Sequence, residues 1–427
     1  MTNPRILVFT VPSWNSKTGA NSWASLLEKY NNKYIANICI REEYPDSNVC
    51  SRYFVISENR IIKSVFNRKV KTGYEIDKKS VNNQNAKDLS EHNVRYQKMT
   101  RKRNYFFLLV RELIWKFGKW KTKELDEFLD SFKPNIILHS MDGYIHLNRI
   151  IEYSIKRTKA KAIGYIWDDN FTYMQSSKIG YKIYRFFQRK SLKKLAKKTQ
   201  GFFSISQKTK VEADDFFNID SKILTKPLYS IPTISDDTVT VPIKFIYTGN
   251  LLYGRKKSLF SFSEAIGQLL PETVTLDVYT QTLLSDSEIE FLKDNGCVVH
   301  KAISQKEVLK LQRESDVLLF LEALDGPNAK TARLSFSTKI TDYLSAGKAI
   351  FAIGNMDTAP IEYFLENKSA IVATDRNQIK EMLVNLTDNP ELIKQYAISA
   401  KECGLKNHNP KKIQELFDSE ISAVLNN

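Results

Sequence analysis

Residues 335–353 read SFSTKITDYLSAGKAIFAI, a helix-like segment that continues directly into a strand-like one. Ser337 and Thr338 are residue types that favour the start of a helix. The apolar run from Ala349 to Ile353 is typical of a buried strand. A helix joined in this way to a buried strand is the repeating unit of α/β proteins, so the segment predicts the α/β class.

The same alternation extends in both directions along the chain. Short runs rich in Val, Ile and Phe alternate with helix-period segments, as in parallel sheets whose strands are joined by helices. We predict a separate doubly wound sheet in each half. Residues 53–62 suggest a hairpin, and the polar run after Lys78 suggests a mobile loop. The predicted strands are 5–11, 34–40, 135–140, 162–167 and 201–206, then 244–248, 275–280, 316–321, 349–353 and 370–373.

A stretch without helical period, residues 228–242, separates the two halves. It contains Pro232 and Pro242 among Ser, Thr and Asp residues, which is typical of an interdomain linker. We predict an N-terminal domain over 1–230, a linker over 231–242 and a C-terminal domain over 243–405. A final helix over 406–427 could pack back on the N-terminal domain.

Net charge divides at the same boundary. Residues 1–232 hold 43 basic and 22 acidic side chains, a balance of +21, and residues 233–427 hold 21 and 26, a balance of −5. This split argues against a uniformly basic coat protein and for a first half that faces an anionic partner. The four cysteines form no Cys-x-x-Cys pair, so neither a zinc site nor a disulfide framework is expected.

Two helix-period stretches of the first half combine aromatic with basic residues. Residues 100–123 hold eight basic residues and one acid, and residues 178–198 hold nine basic residues and none. Such helices are typical of segments that lie on an anionic membrane, and the alternative is a core helix with a solvated basic face. Nucleic acid is disfavoured because no reading module is present. The residues predicted to face a membrane are Arg101, Lys102, Arg103, Trp115, Lys119, Trp120, Arg185 and Arg189.

The segment 335–348 also has the features of an anion site. Backbone N–H groups at the start of its helix, together with Lys339, would attract a phosphate. Asp342 lies four residues after Thr338 on the same helix face, where a carboxylate suits the hydroxyls of a ribose. The segment therefore predicts a pocket for a nucleotide diphosphate.

A glycine-containing turn supports that pocket. Residues 247–259 read YTGNLLYGRKKSL, a strand followed by a turn, a cationic triplet and a helix start. Gly249 lets the backbone approach a ligand, and Arg255 and Lys257 can neutralise a diphosphate leaving group. Either segment alone is more often a plain turn and helix cap. Neither a P-loop nor a Gly-x-Gly-x-x-Gly pattern is present, which disfavours a kinase, an ATPase and an ordinary NAD dehydrogenase.

Together, the Thr-Gly-Asn-x-x-Tyr-Gly-Arg turn and the Phe-Ser-Thr-Lys-Ile-x-Asp-Tyr-Leu-x-x-Gly segment resemble the GT-B glycosyltransferases of bacterial capsule and surface-polysaccharide assembly, close to the retaining family 4 type. The resemblance covers nearly the whole chain and is strongest in the second half. It implies two Rossmann-like domains facing a cleft, with sugar transfer from a nucleotide-sugar donor to a lipid-linked oligosaccharide acceptor. It further implies no metal or other cofactor, and a cytoplasmic location on the inner face of the cell membrane.

The resemblance also assigns roles to residues. Asp342 stands at the family's second glutamate, whereas the position of the first glutamate holds Leu334, so Arg333 or Glu322 is the candidate replacement. The implied catalytic residues are Asp168, Asp169, Arg255 and Lys257. The implied donor-binding residues are Gly19, Asn21, Gly249, Asn250, Arg255, Lys257, Glu322, Arg333, Ser337, Thr338, Lys339 and Asp342.

Several candidates of the first half have plainer explanations. Asp168 and Asp169 follow a predicted strand at the edge where α/β folds bind ligands, and one could position or deprotonate an acceptor hydroxyl. The alternative is a helix cap with a surface acid. The loop 12–21 would close over a diphosphate or is a simple turn. His139 and His146 flank Asp142 and are more often structural.

Two other function classes remain open. A nucleotide-sugar epimerase would need the diphosphate pocket but not the cationic aromatic helices. A non-enzymatic protein that binds polyanions or membranes would explain the charge of the first half but leave the phosphate-site motifs without a use.

Overall fold

The computed structural model describes residues 4–11, 14, 22–42, 45, 47–76, 105–234, 239 and 241–426. The chain divides into two compact units. The first unit comprises residues 1–205, 209–224 and 414–427, and the second comprises residues 206–208 and 225–413. Each unit is built on one sheet with parallel pairing at its centre, which confirms the predicted α/β class.

The first sheet has eight strands. They are β1 Ile6–Thr10, β2 Ile35–Cys39, β3 Arg52–Ile56, β4 Gly73–Ile76, β5 Ile136–Ser140, β6 Lys161–Ile166, β7 Gly201–Ser204 and β8 Lys222–Ile223. Their order is β4-β3-β2-β1-β5-β6-β7-β8, and among the described strands only β3 and β4 pair in antiparallel fashion. The strand order reverses between β1 and β5, so that place is the topological switch point of the sheet.

Helices of the first unit connect these strands. They are α1 Ser22–Leu27, α2 Glu58–Phe66, α3 Tyr105–Phe117, α4 Lys123–Phe132, α5 Ile145–Thr158, α6 Ile179–Ala196 and α7 Gln207–Phe217. Strands β1, β2 and β5 are buried along their whole length, as expected of parallel strands covered on both faces.

The second sheet has six strands, all paired in parallel. They are β9 Ile243–Thr248, β10 Val274–Thr280, β11 Cys297–Lys301, β12 Val317–Leu321, β13 Ala349–Ile353 and β14 Ile371–Ala373, in the order β11-β10-β9-β12-β13-β14. The switch point lies between β9 and β12. The helices are α8 Arg255–Gly267, α9 Asp286–Asp294, α10 Gln305–Glu314, α11 Gly326–Ala332, α12 Lys339–Ala346, α13 Ala359–Glu366, α14 Arg376–Asp388 and α15 Glu391–Asn407.

The last helix, α16 Pro410–Asn426, belongs to the first unit from residue 414 onward. The Tyr30 hydroxyl donates a hydrogen bond to Asp418 at 2.6 Å. Phe417 is fully buried, and its ring centroid lies 6.0 Å from that of Trp23. The end of the chain therefore contributes to the core of the first unit.

The hairpin predicted over residues 53–62 is wrong. Strand β3 ends at Ile56 and α2 begins at once, because the Ser57 hydroxyl caps the helix by accepting the backbone N–H of Arg60 at 3.3 Å. The antiparallel partner of β3 is β4, beyond that helix. The polar run after Lys78, predicted to be a mobile loop, lies outside the described residues.

Two of the residues predicted to face a membrane are buried instead. The Trp115 indole stacks on His146 with ring centroids 4.3 Å apart and donates to Glu58 at 3.3 Å. Arg185 donates to the backbone carbonyl of Asp169 at 3.1 Å and to the Gln175 side chain at 2.9 Å. The prediction is wrong for Trp115 and Arg185 because both lie on the stripe of their helix that faces the core.

The other predicted membrane-facing residues are partly buried or undescribed. Lys119 donates to the backbone carbonyl of Arg68 at 3.0 Å, and the Trp120 ring packs edge-on against Tyr153. The Arg189 guanidinium lies 4.1 Å from the ring centroid of Phe216. Arg101, Lys102 and Arg103 lie outside the described residues. Among the described helices, none combines the length and the apolar character needed to cross a bilayer.

Candidate functional site

The polar residues of the second unit gather at its switch point. Strand β9 is followed by Gly249, strand β12 is followed by Glu322, and helix α12 begins at Lys339. In open parallel sheets, ligands bind outside the carboxyl ends of the strands, where the strand order reverses. The fold therefore places these three segments at the position where such a sheet binds a ligand.

An arginine is held rigidly at this position. Arg255 donates from Nη2 to Glu322 Oε1 at 2.8 Å, from Nε to the backbone carbonyl of Leu321 at 3.1 Å and from Nη1 to Asn250 Oδ1 at 3.1 Å. Its side chain is 17% exposed, whereas that of Glu322 is 4% exposed. A guanidinium fixed by three acceptors presents a preorganised positive charge to the crevice.

Glu322 has unused hydrogen-bonding capacity. Its Oε2 atom is buried and accepts no hydrogen bond from the described part of the chain. The Ser258 hydroxyl donates to its backbone carbonyl at 2.6 Å, which fixes the residue at the end of β12. A buried carboxylate oxygen without a donor can accept a hydroxyl of a bound ligand.

Lys339 and Gly249 meet at the same place. The Lys339 ammonium lies 4.6 Å from the ring centroid of Tyr247 and 3.5 Å from the Tyr247 hydroxyl. Gly249 has a φ of +140°, and a Cβ atom there would lie 2.0 Å from Lys339 Nζ. The backbone conformation favours glycine, and a Cβ atom there would displace the end of the Lys339 side chain.

The charge of Lys339 is weakened by its surroundings. Burial, and then the positive charge of Arg255, lower the pKa of the Lys339 ammonium to about 7. An anion bound beside both cations would reverse the second of these effects. Lys339 is therefore only partly protonated near neutral pH until an anion binds beside it.

Asp342 lies one turn into α12 and is already paired. Its Oδ1 atom is 2.6 Å from the ammonium of Lys226. Thr338 precedes the helix without a side-chain capping bond, and the Ser337 hydroxyl accepts the backbone N–H of Lys339 at 3.4 Å. The predicted phosphate segment thus forms the start of a helix, with a carboxylate held in place beyond it.

The remaining predicted donor residues are spread more widely. Lys257 lines a small pocket of about 60 Å³ with Asp325, Asn328 and Arg376, and no described contact joins it to Arg255 or Lys339. Arg333 is buried, and its backbone carbonyl accepts the N–H of Ala359 at 2.8 Å. Gly19 and Asn21 lie outside the described residues.

The switch point of the first sheet carries carboxylates. Asp142 follows β5, is 9% exposed and accepts a short hydrogen bond from the Ser140 hydroxyl. Burial raises the pKa of Asp142 to about 6, and the nearby charge of Asp168 adds to the effect. A buried carboxyl that titrates near neutral pH is a common feature of functional sites.

Asp169 differs from these two acids. It is almost fully buried and accepts the backbone N–H of Thr172 at 2.9 Å and that of Phe171 at 3.3 Å. Its own backbone carbonyl accepts Arg185 and Gln175. Asp169 therefore organises the loop after β6.

The two histidines near Asp142 are core residues. His139 contacts the Thr199 hydroxyl at 3.1 Å, and burial lowers the pKa of its ring to about 4. His146 lies against Trp115 and is 2.8 Å from Glu112. Both positions agree with the structural role that sequence reasoning favoured.

Sequence reasoning gave no role to Tyr247, Lys226 or Asp142. Tyr247 belongs to a strand and Lys226 precedes the linker, so neither stands out in the sequence. Asp142 lies two residues after the end of a predicted strand, a position similar to the one that singled out Asp168, and this signal could have found it.

Solved structures similar to this chain share its fold over nearly its whole length. Sucrose-phosphate synthase of Thermosynechococcus elongatus is 10% identical with a TM-score of 0.61, and the match covers 98% of this chain and 99% of that one. HepE of Anabaena, solved in complex with UDP-glucose, is 8% identical with a TM-score of 0.60, covering 98% and 99%. A glycosyltransferase of Rickettsia africae is 10% identical with a TM-score of 0.59, covering 100% of both chains.

TarM is matched over less of its own length. It is 11% identical with a TM-score of 0.53, and the match covers 71% of this chain but 58% of TarM. At such identities the likeness shows the fold alone, which is the GT-B arrangement of two Rossmann-like sheets. No protein-family model matches the sequence, and no curated protein matches it either.

Proposed function

We propose that the chain is a glycosyltransferase that uses a nucleoside diphosphate sugar, with the donor bound by the second unit and the acceptor by the first. The observation that carries the proposal is the cluster of Arg255, Lys339 and Asp342 at the switch point of the second sheet. Two cations beside a helix start suit a diphosphate, and the carboxylate suits a ribose. HepE, which shares the fold, was solved with UDP-glucose.

The departing diphosphate is the principal electrostatic demand of such a reaction. Arg255 is fixed by Glu322, Asn250 and the β12 carbonyl, so it need not reorganise as negative charge develops on the leaving group. Lys339 gains its full charge as the anion approaches. We assign the neutralising role to these two residues, with Lys257 as a further cation near the start of α8, and no step requires a metal.

Asp342 and Glu322 would hold the hydroxyls of the donor. The ion pair with Lys226 holds the Asp342 side chain in place, and a carboxylate can accept hydrogen bonds through both oxygens. The unpartnered Oε2 of Glu322 offers a second acceptor. This assigns the ribose to Asp342 and the sugar to Glu322, beside Arg333.

We place the acceptor hydroxyl near Asp142 and Asp168 in the first unit. A carboxyl whose pKa is about 6 can accept a proton from a hydroxyl near neutral pH. We further propose that the acceptor is a lipid-linked oligosaccharide of surface-polysaccharide assembly. The enzyme would then work on the cytoplasmic face of the cell membrane, a location supported by the +21 balance of residues 1–232.

The test is a panel of nucleotide sugars with nucleotide release as the readout, measured with and without a lipid-linked acceptor. Release that depends on the acceptor supports transfer. Isomerisation of the donor would instead identify an epimerase, and failure of every donor to bind would contradict both enzymes and favour the polyanion-binding alternative.

A pair of variants localises the donor. Asp342→Ala should weaken donor binding in calorimetry by about tenfold or more, since a charge-assisted hydrogen bond contributes roughly 1.5–3 kcal/mol. The matched control is Asp294→Ala, an exposed acid of the same unit at the end of α9. Equal affinities of the two variants would place the ribose elsewhere.

A further inference from the structure

Helices α3 and α6 expose an apolar surface, referred to below as the α3–α6 surface. The two helices meet near their N-terminal ends, where the Tyr105 and Tyr181 rings lie 5.5 Å apart. On α3 the outward side chains are Phe106, Phe107, Leu113 and Phe117, which are 51–67% exposed. Large apolar side chains clustered in this way on a folded unit mark an interaction site.

Helix α6 extends the same surface. Its outward side chains Ile179, Ile183, Phe186 and Phe187 are 47–78% exposed and recur at helical spacing. Together the two helices present eight large apolar side chains to solvent. Because the eight side chains lie on two adjoining helices, they form one surface and are not isolated exposed residues.

Both helices bury polar residues on the opposite stripe. On α3 that stripe carries Glu112, bonded to His146 at 2.8 Å, and Trp115, which donates to Glu58. On α6 it carries Arg185 and Gln188, which donate to backbone carbonyls at 3.1 and 2.7 Å. On α6 the same stripe also buries Tyr181, Tyr184, Leu192 and Leu195, which pack into the core as the inner stripe of a surface helix does. The exposed apolar side chains of the two helices therefore do not pack in the core of this unit.

The charges around the surface favour an anionic partner. Lys178, Lys182 and Lys190 are exposed beside the apolar residues of α6, and no acid occurs between residues 170 and 211. Within the described part of the chain these three lysines form no ion pair. A second copy of the chain would bring like charges together, and nucleic acid would leave the apolar side chains uncovered.

We infer that the α3–α6 surface docks on an anionic phospholipid bilayer. Its phenylalanine and isoleucine side chains enter the boundary between headgroups and acyl chains, and the flanking lysines meet the lipid phosphates. This inference deepens the membrane location proposed above. It needs neither donor nor transfer, so lipid binding can fail while donor binding stands, and the reverse.

The experiment is flotation of the full chain with vesicles of phosphatidylglycerol or of phosphatidylcholine alone. We expect binding to the anionic vesicles only. Phe186→Ser/Phe187→Ser and Phe106→Ser/Phe107→Ser should each reduce the partition coefficient by about tenfold or more. Lys182→Gln/Lys190→Gln should reduce it by about fivefold for each lysine.

Matched controls use exposed residues of the second unit. Leu270→Ser/Leu283→Ser removes two strongly exposed leucines, and Lys306→Gln/Lys380→Gln removes two exposed lysines, so both should bind like the wild type. Insertion is read from Phe186→Trp, whose fluorescence should be quenched by brominated acyl chains more strongly than that of the wild type with its five tryptophans. Circular dichroism checks that each variant is folded.

Three outcomes overturn the inference. The first is vesicle binding that the phenylalanine variants leave unchanged. The second is a loss that follows the lysines alone and is competed by RNA, which would indicate a polyanion surface. The third is self-association without lipid that Phe186→Ser/Phe187→Ser abolishes, which would show that a second copy covers the surface.

Discussion

The strand order reverses once in each sheet, between β1 and β5 in the first and between β9 and β12 in the second. The second of these places carries the cations Arg255 and Lys339, and the first carries the carboxylates Asp142 and Asp168. The same topology thus supports opposite charges. The sheet decides where a ligand can bind, and the side chains after each strand decide what kind of ligand it is.

Burial shifts the pKa values of the two sites in opposite directions. It raises the pKa of the Asp142 carboxyl to about 6 and lowers that of the Lys339 ammonium to about 7, because in both cases the charged form is the one that loses water. Arg255 keeps its charge through the ion pair with Glu322. The following four changes probe this contrast, beginning with the largest expected effect.

Removing the fixed cation should have the largest effect. Arg255→Met leaves the Glu322 carboxylate buried without its partner, and we expect a loss of about 3–5 kcal/mol in the free energy of unfolding. Urea titration measures it. The double variant Arg255→Met/Glu322→Met should recover most of the loss, because no unpaired charge then remains.

The control is the neighbouring ion pair of Lys256 and Glu288, whose side chains are 43% and 26% exposed. Lys256→Met should cost about 1 kcal/mol or less. If Arg255→Met costs no more than Lys256→Met, the contrast between a buried and an exposed cation is wrong.

Asp142 of the first unit should make the free energy of unfolding depend on pH. The pKa of Asp142 is higher in the folded chain than the value of about 3.9 in an unfolded one. Between these values the folded state binds more protons, so Asp142 makes stability fall as pH rises from about 4 to 6. Relative to the wild type, Asp142→Asn should gain about 3 kcal/mol across that window.

Unfolding titrations of both proteins at several pH values measure the difference. His139, whose pKa is lowered to about 4, opposes the trend but is common to both proteins and cancels. A constant difference between the wild type and Asp142→Asn from pH 4 to 7 would show that folding does not raise the pKa of Asp142.

Gly249→Ala tests the close contact between the backbone at position 249 and the Lys339 ammonium. The new Cβ would meet Lys339 Nζ, and a φ of +140° is strained for alanine, so we expect a cost of about 1–3 kcal/mol with weaker donor binding. Gly326→Ala is the control, since it has a φ of +72° and no heavy atom within 4 Å of the built Cβ. Calorimetry should show weaker donor binding for Gly249→Ala only.

The smallest effect is the pH dependence of donor binding. With a pKa of about 7, Lys339 is largely neutral above that pH in the empty site, and a bound diphosphate recovers the proton. Donor affinity should fall by up to about tenfold, or 1.4 kcal/mol, for each pH unit above 7 and level off below it. Calorimetry in buffers of different ionisation enthalpy should show proton uptake.

Two variants separate Lys339 from its neighbours. Lys339→Met should bind the donor weakly with no such slope, whereas Lys226→Met should keep the slope. A wild-type affinity that is flat from pH 7 to 9 would contradict the assignment of the neutral ammonium.

The sequence predicted the central strands of both sheets, but it missed the edge strands β4, β8 and β11. All ten predicted strands are present, and most of them are apolar runs that the sheet buries, although β10 alternates between buried and partly buried residues. Strand β11 was missed because it lies at an edge and its second half is partly exposed and polar. The hairpin was predicted wrongly because a local pattern cannot tell a tight turn from the capped start of a helix such as α2.

The candidate site was predicted in part. Gly249, Arg255, Lys339 and Asp342 were recognisable because each motif is local. Membrane-facing residues were predicted from charge and aromatic content alone, which do not specify the buried stripe of a helix. Trp115 and Arg185 consequently proved buried, whereas phenylalanines of the same two helices, which were not among the named membrane-facing residues, are exposed.

By itself, then, the sequence determined the α/β class, the central strands and the motif residues of the second half, since these depend on neighbours a few positions apart. The tertiary structure decided which side chains pair with one another. Arg255 meets Glu322 across 67 positions, Lys339 meets Tyr247 across 92, and Lys226 meets Asp342 across 116. Such pairs depend on the order of the strands in the sheet, and that order is fixed by the packing of the whole unit.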